Sequence, residues 1–263
     1  MKSTECMIQS SDLGKVDRLA AFVETFRLRA SAVQAGQAVH GPCLLLAGPV
    51  DGQGHGGEER IVVRLHGGGE APPDLRVAVA IEFDNASNPL MAAMPEELSV
   101  PLRTAPALRC TAQAFLSEVQ GNRCGRMAAL NRLAEVMVLM ALRQVIDAGT
   151  RQPGLFAALS HPQLHRALVG MHDHPSRAWT VDQLAQHAAM SRTQFMATFR
   201  RVVGTTPMAY LGSWRLTLAC RQLKSGQPVK AVASRAGFGS AAAFSRAFSR
   251  AYGHAPVALK PLG

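Results

Sequence analysis

Five arginines, Arg192, Arg200, Arg201, Arg246 and Arg250, recur in a segment that holds almost nothing to neutralise them. Residues 151–263 carry 14 of the 28 Lys+Arg but 2 of the 18 Asp+Glu, Asp173 and Asp182, so the formal charge of +10 lies wholly in that part. A guanidinium is a planar fork of N–H donors that fits phosphate oxygens and the O6/N7 edge of guanine. A compact segment so charged repels itself, and the usual compensation is a polyanion, either nucleic acid or an anionic membrane surface.

The other groups able to do chemistry are thiols and imidazoles. Cys6, Cys43, Cys110, Cys124 and Cys220 are odd in number, widely spaced and form no C-x-x-C pair. Such a set reads as reduced cytoplasmic thiols rather than a disulfide framework. An oxidant-sensing thiol would need a nearby cation such as Arg29 or Arg109 to lower its pKa. His161 and His165 stand four apart, with His172 and His174 following, while His40, His55 and His66 are scattered among glycines. Asp173 apart, no ligand completes a set, so structural or surface roles are expected and no metal site. No Ser-His-Asp order, carboxylate pair or dinucleotide fingerprint is present, and Gly67-Gly68-Gly69 lacks the flanking strand and helix of a phosphate loop. The expectation is a chain with no catalytic residues and no cofactor.

The elements that position the arginines form a repeat. At an offset of 49, Ser191, Phe195, Phe199, Arg201, Gly204 and Pro207 recur as Ser240, Phe244, Phe248, Arg250, Gly253 and Pro256. Upstream the offset is 48, pairing Val181, Leu184, Ala185 and Ala188 with Val229, Val232, Ala233 and Ala236. Each copy reads as helix, tight turn, helix. In the first, Thr180-Val181-Asp182-Gln183 has the capping-box pattern, and Phe195 and Phe199 share one helical face. Small Ala185 and Ala233 allow the close crossing of a helix-turn-helix. Between the copies, 207–223 reads as one longer helix, with Pro at its start and Gly226 beyond its end. Such a connector fixes the separation of two recognition helices, which must lie about 34 Å apart to enter successive major grooves.

The first part is near neutral. Residues 1–104 alternate apolar runs, Cys43–Leu46, Ile61–Val63 and Leu75–Ile81, with Gly/Pro loops at 52–57 and 67–69, implying a small β-rich domain entered by a short helix around Arg18 to Arg27. From Thr104 apolar residues take helical spacing: a short helix near Ala112 to Val119, then an amphipathic one carrying Leu130, Leu133, Met137, Met140, Leu142 and Val145, ended by Gly149. That helix packs on its own core or on a second copy of the chain. A linker is expected at 151–154. The longest apolar stretch in a helical context, Val136 to Leu142, is far short of the ~18–20 residues that span a bilayer.

The second copy, Val232-Ala233-Ser234-Arg235-Ala236-Gly237-Phe238 with Ala243 to Phe248 and Tyr252-Gly253-His254-Ala255-Pro256, resembles the signature of the AraC/XylS family of bacterial transcription regulators. Met190-Ser191-Arg192-Thr193 through Arg200 is similar to its partner motif. The resemblance covers roughly 158–263, with a leading helix from Pro162 to His174. The N-terminal part is similar to a shortened form of that family's cupin-like sensor domains, with Leu98-Ser99-Val100-Pro101-Leu102 at its close. The resemblance implies an α+β chain: a truncated cupin-like sensor at 1–104, a helical linker or dimerisation segment at 105–150, and an all-α DNA-binding domain with helix-turn-helix motifs at about 180–204 and 228–253. It also implies base-facing residues Arg192, Thr193, Met196 and Ala197 on the first recognition helix, and Ala241, Ala242 and Arg246 on the second, with Ser240 a further DNA-binding residue. Arg200, Arg201 and Arg250 lie where phosphate contacts are expected.

The implied partners are double-stranded promoter DNA, RNA polymerase, a small-molecule effector and a second copy of the chain, with activation the commoner role. Two alternatives differ in chemistry. One is a redox-responsive regulator acting through its thiols. The other is a DNA-repair methyltransferase fused to such a domain, where Pro42-Cys43 is followed by Leu44 instead of the required His.

Overall fold

The computed structural model describes residues 17–19, 28–33, 41–48, 58–64, 70–83, 96–121, 123–149 and 153–259. Apart from Arg18 and Leu19, the expected helix near 18–27 lies outside the described residues. So do the loops at 52–57 and 67–69, and His40, His55, His66 and Cys6.

The described strands form one antiparallel sheet: β1 (Leu28–Ala32), β2 (Cys43–Ala47), β3 (Arg60–Arg64), β4 (Leu75–Phe83) and β5 (Glu97–Pro101), in the order β1-β4-β2-β3-β5. The apolar runs of the sequence are its three central strands. Every residue of β2 is buried, which is why its sequence is continuously apolar instead of alternating. Leu44, Leu46, Ile61, Val63, Val79, Ile81, Leu98 and Val100 join the core shared with the helices. Cys43, Leu45 and Val62 pack separately, with Leu75 and Ala78.

Two helices follow the sheet: α1 (Pro106–Gln120) packs on α2 (Arg126–Ala148), and α2 packs against β1, β3 and β5. The first starts well before the expected Ala112. Proline is tolerated in the first helical turn because its missing N–H would have no intrahelical partner there. Leu108, Ala112 and Phe115 then follow at inward-facing spacing. Arg126 donates to the Glu118 and Val119 carbonyls at 3.1 and 2.6 Å, satisfying the end of α1.

The leading helix expected at 162–174 is α4 (Leu164–Asp173), and a short helix, α3 (Leu155–Ser160), precedes it. Its start is tied to the basic half by Gly154 N–H donating to Val202 O at 2.8 Å. Then come α5 (Val181–His187), α6 (Arg192–Val203), α7 (Pro207–Lys224), α8 (Val229–Arg235) and α9 (Ala241–Tyr252).

The core is divided unevenly. One continuous cluster runs from the sheet through α1 to α6 and includes Tyr210, Leu211 and Trp214 of α7. Leu216, Ala219, Cys220 and Leu223, further along α7, build a second cluster with α8 and α9. The connector therefore serves two cores. No helix among the described residues is long and apolar enough to cross a membrane.

Candidate nucleic-acid interface

The two copies share the bonds of their turns and recognition-helix caps, while the capping box of the first has no counterpart at Pro228, which precedes α8 with no side-chain cap bond. In the first, the Thr180 hydroxyl accepts from Gln183 N–H while the Gln183 side chain accepts from Thr180 N–H, completing a capping box on α5. Ser191 and Ser240 cap α6 and α9 by accepting from Gln194 and Ala243 N–H at 3.3 and 3.1 Å. Across the turns, Met190 N–H donates to Ala185 O at 2.9 Å and Phe238 N–H donates to Ala233 O at 3.0 Å. Phe195 and Phe199 are fully buried with rings 5.5 Å apart, and Phe244 and Phe248 repeat that distance. Gly204 and Gly253 close the recognition helices in the left-handed conformation, at φ 84° and 76°.

With the phenylalanines inside, the opposite faces of α6 and α9 are left at the surface. Arg192, Thr193, Ala197, Arg200 and Arg201 are exposed on α6, and Met196 is half-buried. On α9, Ala242, Arg246 and Arg250 are exposed and Ala241 is half-buried, while exposed Ser240 is engaged as the cap. Apart from Ala241, which packs against the second core, and half-buried Met196, the residues expected to meet DNA are exposed.

The scarcity of carboxylates does not leave Arg192 alone, because its Nη1 lies 2.6 Å from an Asp182 oxygen. Arg200, Arg201, Arg246 and Arg250 make no ion pair among the described residues. In the sheet domain, by contrast, Arg60, Arg64 and Arg76 pair with Asp74, Glu97 and Glu59. Arg60 holds the Asp74 carboxyl below its ordinary pKa by hydrogen bonding to it.

Sequence reasoning missed Arg215. From α7 its Nε donates to Pro175 O at 2.6 Å, one terminal nitrogen to Arg177 O at 2.8 Å, and the other to Gly237 O at 3.5 Å. It ties the loop before the first copy to the turn of the second. No periodicity could have marked it, since its partners are backbone carbonyls far away in sequence.

The histidines have structural work. His161 Nδ1 accepts from the N–H groups of Gln163 and Leu164 at the start of α4, and His165 Nδ1 lies 2.9 Å from His161 O. His172 is buried, stacked on Trp214 at 3.8 Å and bonded to the Tyr210 hydroxyl at 2.6 Å. Among the thiols, Cys43 and Cys220 are buried and Cys110 and Cys124 exposed. Burial pushes the Cys43 thiol up, against a smaller lowering by Arg64, so the cation beside it is neither Arg29 nor Arg109. A buried, protonated Cys43 is a poor nucleophile for methyl or redox chemistry.

Comparison with known proteins places both halves. Residues 184–260 match the family described as Helix-turn-helix domain, and residues 24–147 match the family described as Cupin. The cupin match takes in α1 and all but the last residue of α2. An HTH-type transcriptional regulator of Haemophilus influenzae is 33% identical over 73% of this chain and 64% of its own length. A transcription regulator described as AraC-like, from Streptomyces antibioticus, is 35% identical over 65% of this chain and 58% of its own. The chain thus spans under two thirds of the length of these relatives. Among solved structures, the DNA-binding domain of AdpA, crystallised with a target DNA, is 31% identical over 37% of this chain and 89% of that one, with a TM-score of 0.35.

Proposed function

We propose that this chain, whose residues 24–147 match a cupin family and 184–260 a helix-turn-helix family, is a DNA-binding regulator of transcription of the AraC type and not an enzyme. It docks α6 and α9 into successive major grooves on one face of promoter DNA, about 34 Å apart. The observation that carries this reading is the duplicated, capped helix-turn-helix whose outward faces hold Arg192, Arg200, Arg201, Arg246 and Arg250. Arg192, Thr193, Met196 and Ala197 face bases in one groove, and Ala241, Ala242 and Arg246 in the other, with Ser240 at the DNA end of α9. Arg200, Arg201 and Arg250 take phosphates, which fix register without reading sequence. The alanines at the start of α9 offer only apolar contact, so Arg246 is the principal reader there, with DNA shape supplying the rest. The sheet with α1 and α2 receives a small-molecule signal or joins two copies of the chain, and the regulated outcome is activation through RNA polymerase.

The test is a gel-shift titration across salt concentrations. Six to ten phosphate contacts give a slope of log K against log salt of about −5 to −9. A slope near zero overturns the reading. At a selected site, Arg246→Ala should cost about 1–3 kcal/mol, and unchanged affinity would remove it as a base reader.

A further inference from the structure

We propose that Asp182 is a specificity-determining positioning residue, whose carboxylate orients the Arg192 guanidinium for base reading and keeps it from being spent on phosphates. This rests on the reading of α6 as a base-facing helix.

Asp182 lies in the first turn of α5 and Arg192 in the first turn of α6, ten residues apart and brought together by the turn between them. Their contact is 2.6 Å, with the side chains 57% and 62% exposed. An exposed pair of this kind contributes little to folding, so its value lies elsewhere. The first helix of such a motif crosses the DNA backbone while the second enters the groove. A carboxylate in that first helix is repelled by phosphates whatever the sequence. Arg192 is the cation that compensates it, so on docking, as water leaves and the local dielectric falls, the pair must tighten. One arginine nitrogen is then committed to Asp182. The remaining donors point in a fixed direction, and the pair as a whole is nearly neutral toward the backbone.

The second copy supplies the contrast. The positions equivalent to Asp182 and Arg192 are Lys230 and Ala241, a cation where the first copy has an anion and a methyl where it has a guanidinium. Lys230 is exposed and suits phosphate. The roles of the two copies thus diverge. The first gives up backbone attraction at this corner for a positioned reader, and the second keeps the attraction and has no reader there.

The experiment is selection of duplexes from a pool with a randomised core by the full chain, comparing wild type with Asp182→Asn, followed by titration of the selected and the randomised duplexes. Asp182→Asn should relax the base preference under α6 about fivefold or more and leave that under α9 intact. It should also tighten binding to the randomised pool and steepen the salt slope by about 1, as the freed Arg192 finds a phosphate. Asp182→Glu should restore the preference in part, and in an Arg192→Ala chain Asp182→Asn should have no further effect on it. Three outcomes overturn the assignment: an unaltered preference under α6, an exchanged base pair of undiminished sharpness, which would make Asp182 a direct reader of a cytosine amino group, and equal weakening on all duplexes. A wild-type chain that selects no consensus overturns the reading of α6 itself, and the assignment with it.

Discussion

The two helix-turn-helix copies share caps, turns and paired phenylalanines, yet they are held by different parts of the molecule. The first is continuous with the sheet: α3 packs against α2, α4 and α6, so one buried cluster runs from the β-strands to Phe199. The second has its own cluster, joined to the rest along α7 and by the Arg215 tie at its turn. Their surfaces differ as well, with Asp182 and Arg192 in one where Lys230 and Ala241 stand in the other. What the copies share is the set of buried and capping positions that specify the motif. Where they differ is in the exposed positions, which the fold leaves free, and in the neighbour each one leans on. A disturbance of the sheet domain thus has a continuous packed route to α6, and reaches α9 along α7 and through Arg215.

Phenylalanine truncation should give the largest expression of that difference. Phe199 and Phe248 are both fully buried, and either change to alanine should cost about 3–5 kcal/mol. The consequences should spread differently. Phe199→Ala should raise amide hydrogen exchange in α6, α3 and α2 together, while Phe248→Ala should raise it in α8 and α9 and leave α2 protected. If both variants loosen the same amides, the division into two cores is broken.

Acid should separate the copies more gently. His172 is buried in the first core, and desolvation pushes its pKa down to about 3. In the unfolded chain the imidazole takes a proton near 6.5. As pH falls from 6.5 toward 3, the unfolded state therefore binds a proton that the folded state refuses, and stability drops by up to about 1.4 kcal/mol per unit. His161 and His165, also lowered by burial, act in the same direction. The second core has no buried imidazole among the described residues. Denaturation midpoints should fall between pH 7 and 4.5, and His172→Phe, which keeps a ring against Trp214, should flatten the fall. Equal slopes in both proteins would remove His172 from the account.

The sequence could show some of this and not the rest for identifiable reasons. The helix-turn-helix copies were legible because a motif that buries two phenylalanines and caps its helices with Thr180, Ser191 and Ser240 leaves residue types at fixed offsets, and duplication repeats them. The three central strands were legible because β2, β3 and β4 are runs of apolar or β-branched residues. The early start of α1 was hidden by Pro106, a residue that punctuates a sequence yet fits a first helical turn. The six residues of α3 are too few to display a period. The expected shortage of partners for Arg192 came from counting carboxylates, and counting cannot show that one of the two in that half is folded against it. Arg215 was invisible because backbone carbonyls carry no sequence identity.

The turns inside the two copies provide the smallest test, and one with opposite signs. At the equivalent position the first copy has Ala189, at φ 50°, and the second has Gly237, at φ 73°. Left-handed backbone costs a residue with a Cβ about 1–2 kcal/mol. The first copy bears that strain at an exposed residue, whose carbonyl accepts from the Gln163 side chain at 3.0 Å. At Gly237 a Cβ would also lie 3.0 Å from Ser176 O and 3.2 Å from the Arg215 guanidinium carbon. That guanidinium is fastened to the Pro175 and Arg177 carbonyls, so it cannot swing away without releasing the tie between the copies. Gly237→Ala should therefore destabilise the chain by about 2 kcal/mol, with increased exchange at the Arg215 contacts. Ala189→Gly should change stability by less than about 0.5 kcal/mol, since the relief of strain is offset by the greater freedom of glycine in the unfolded chain. Equal and small effects from denaturant unfolding would mean that Arg215 yields to the new methyl group, and that the copies are tied less firmly than the three hydrogen bonds of this side chain imply.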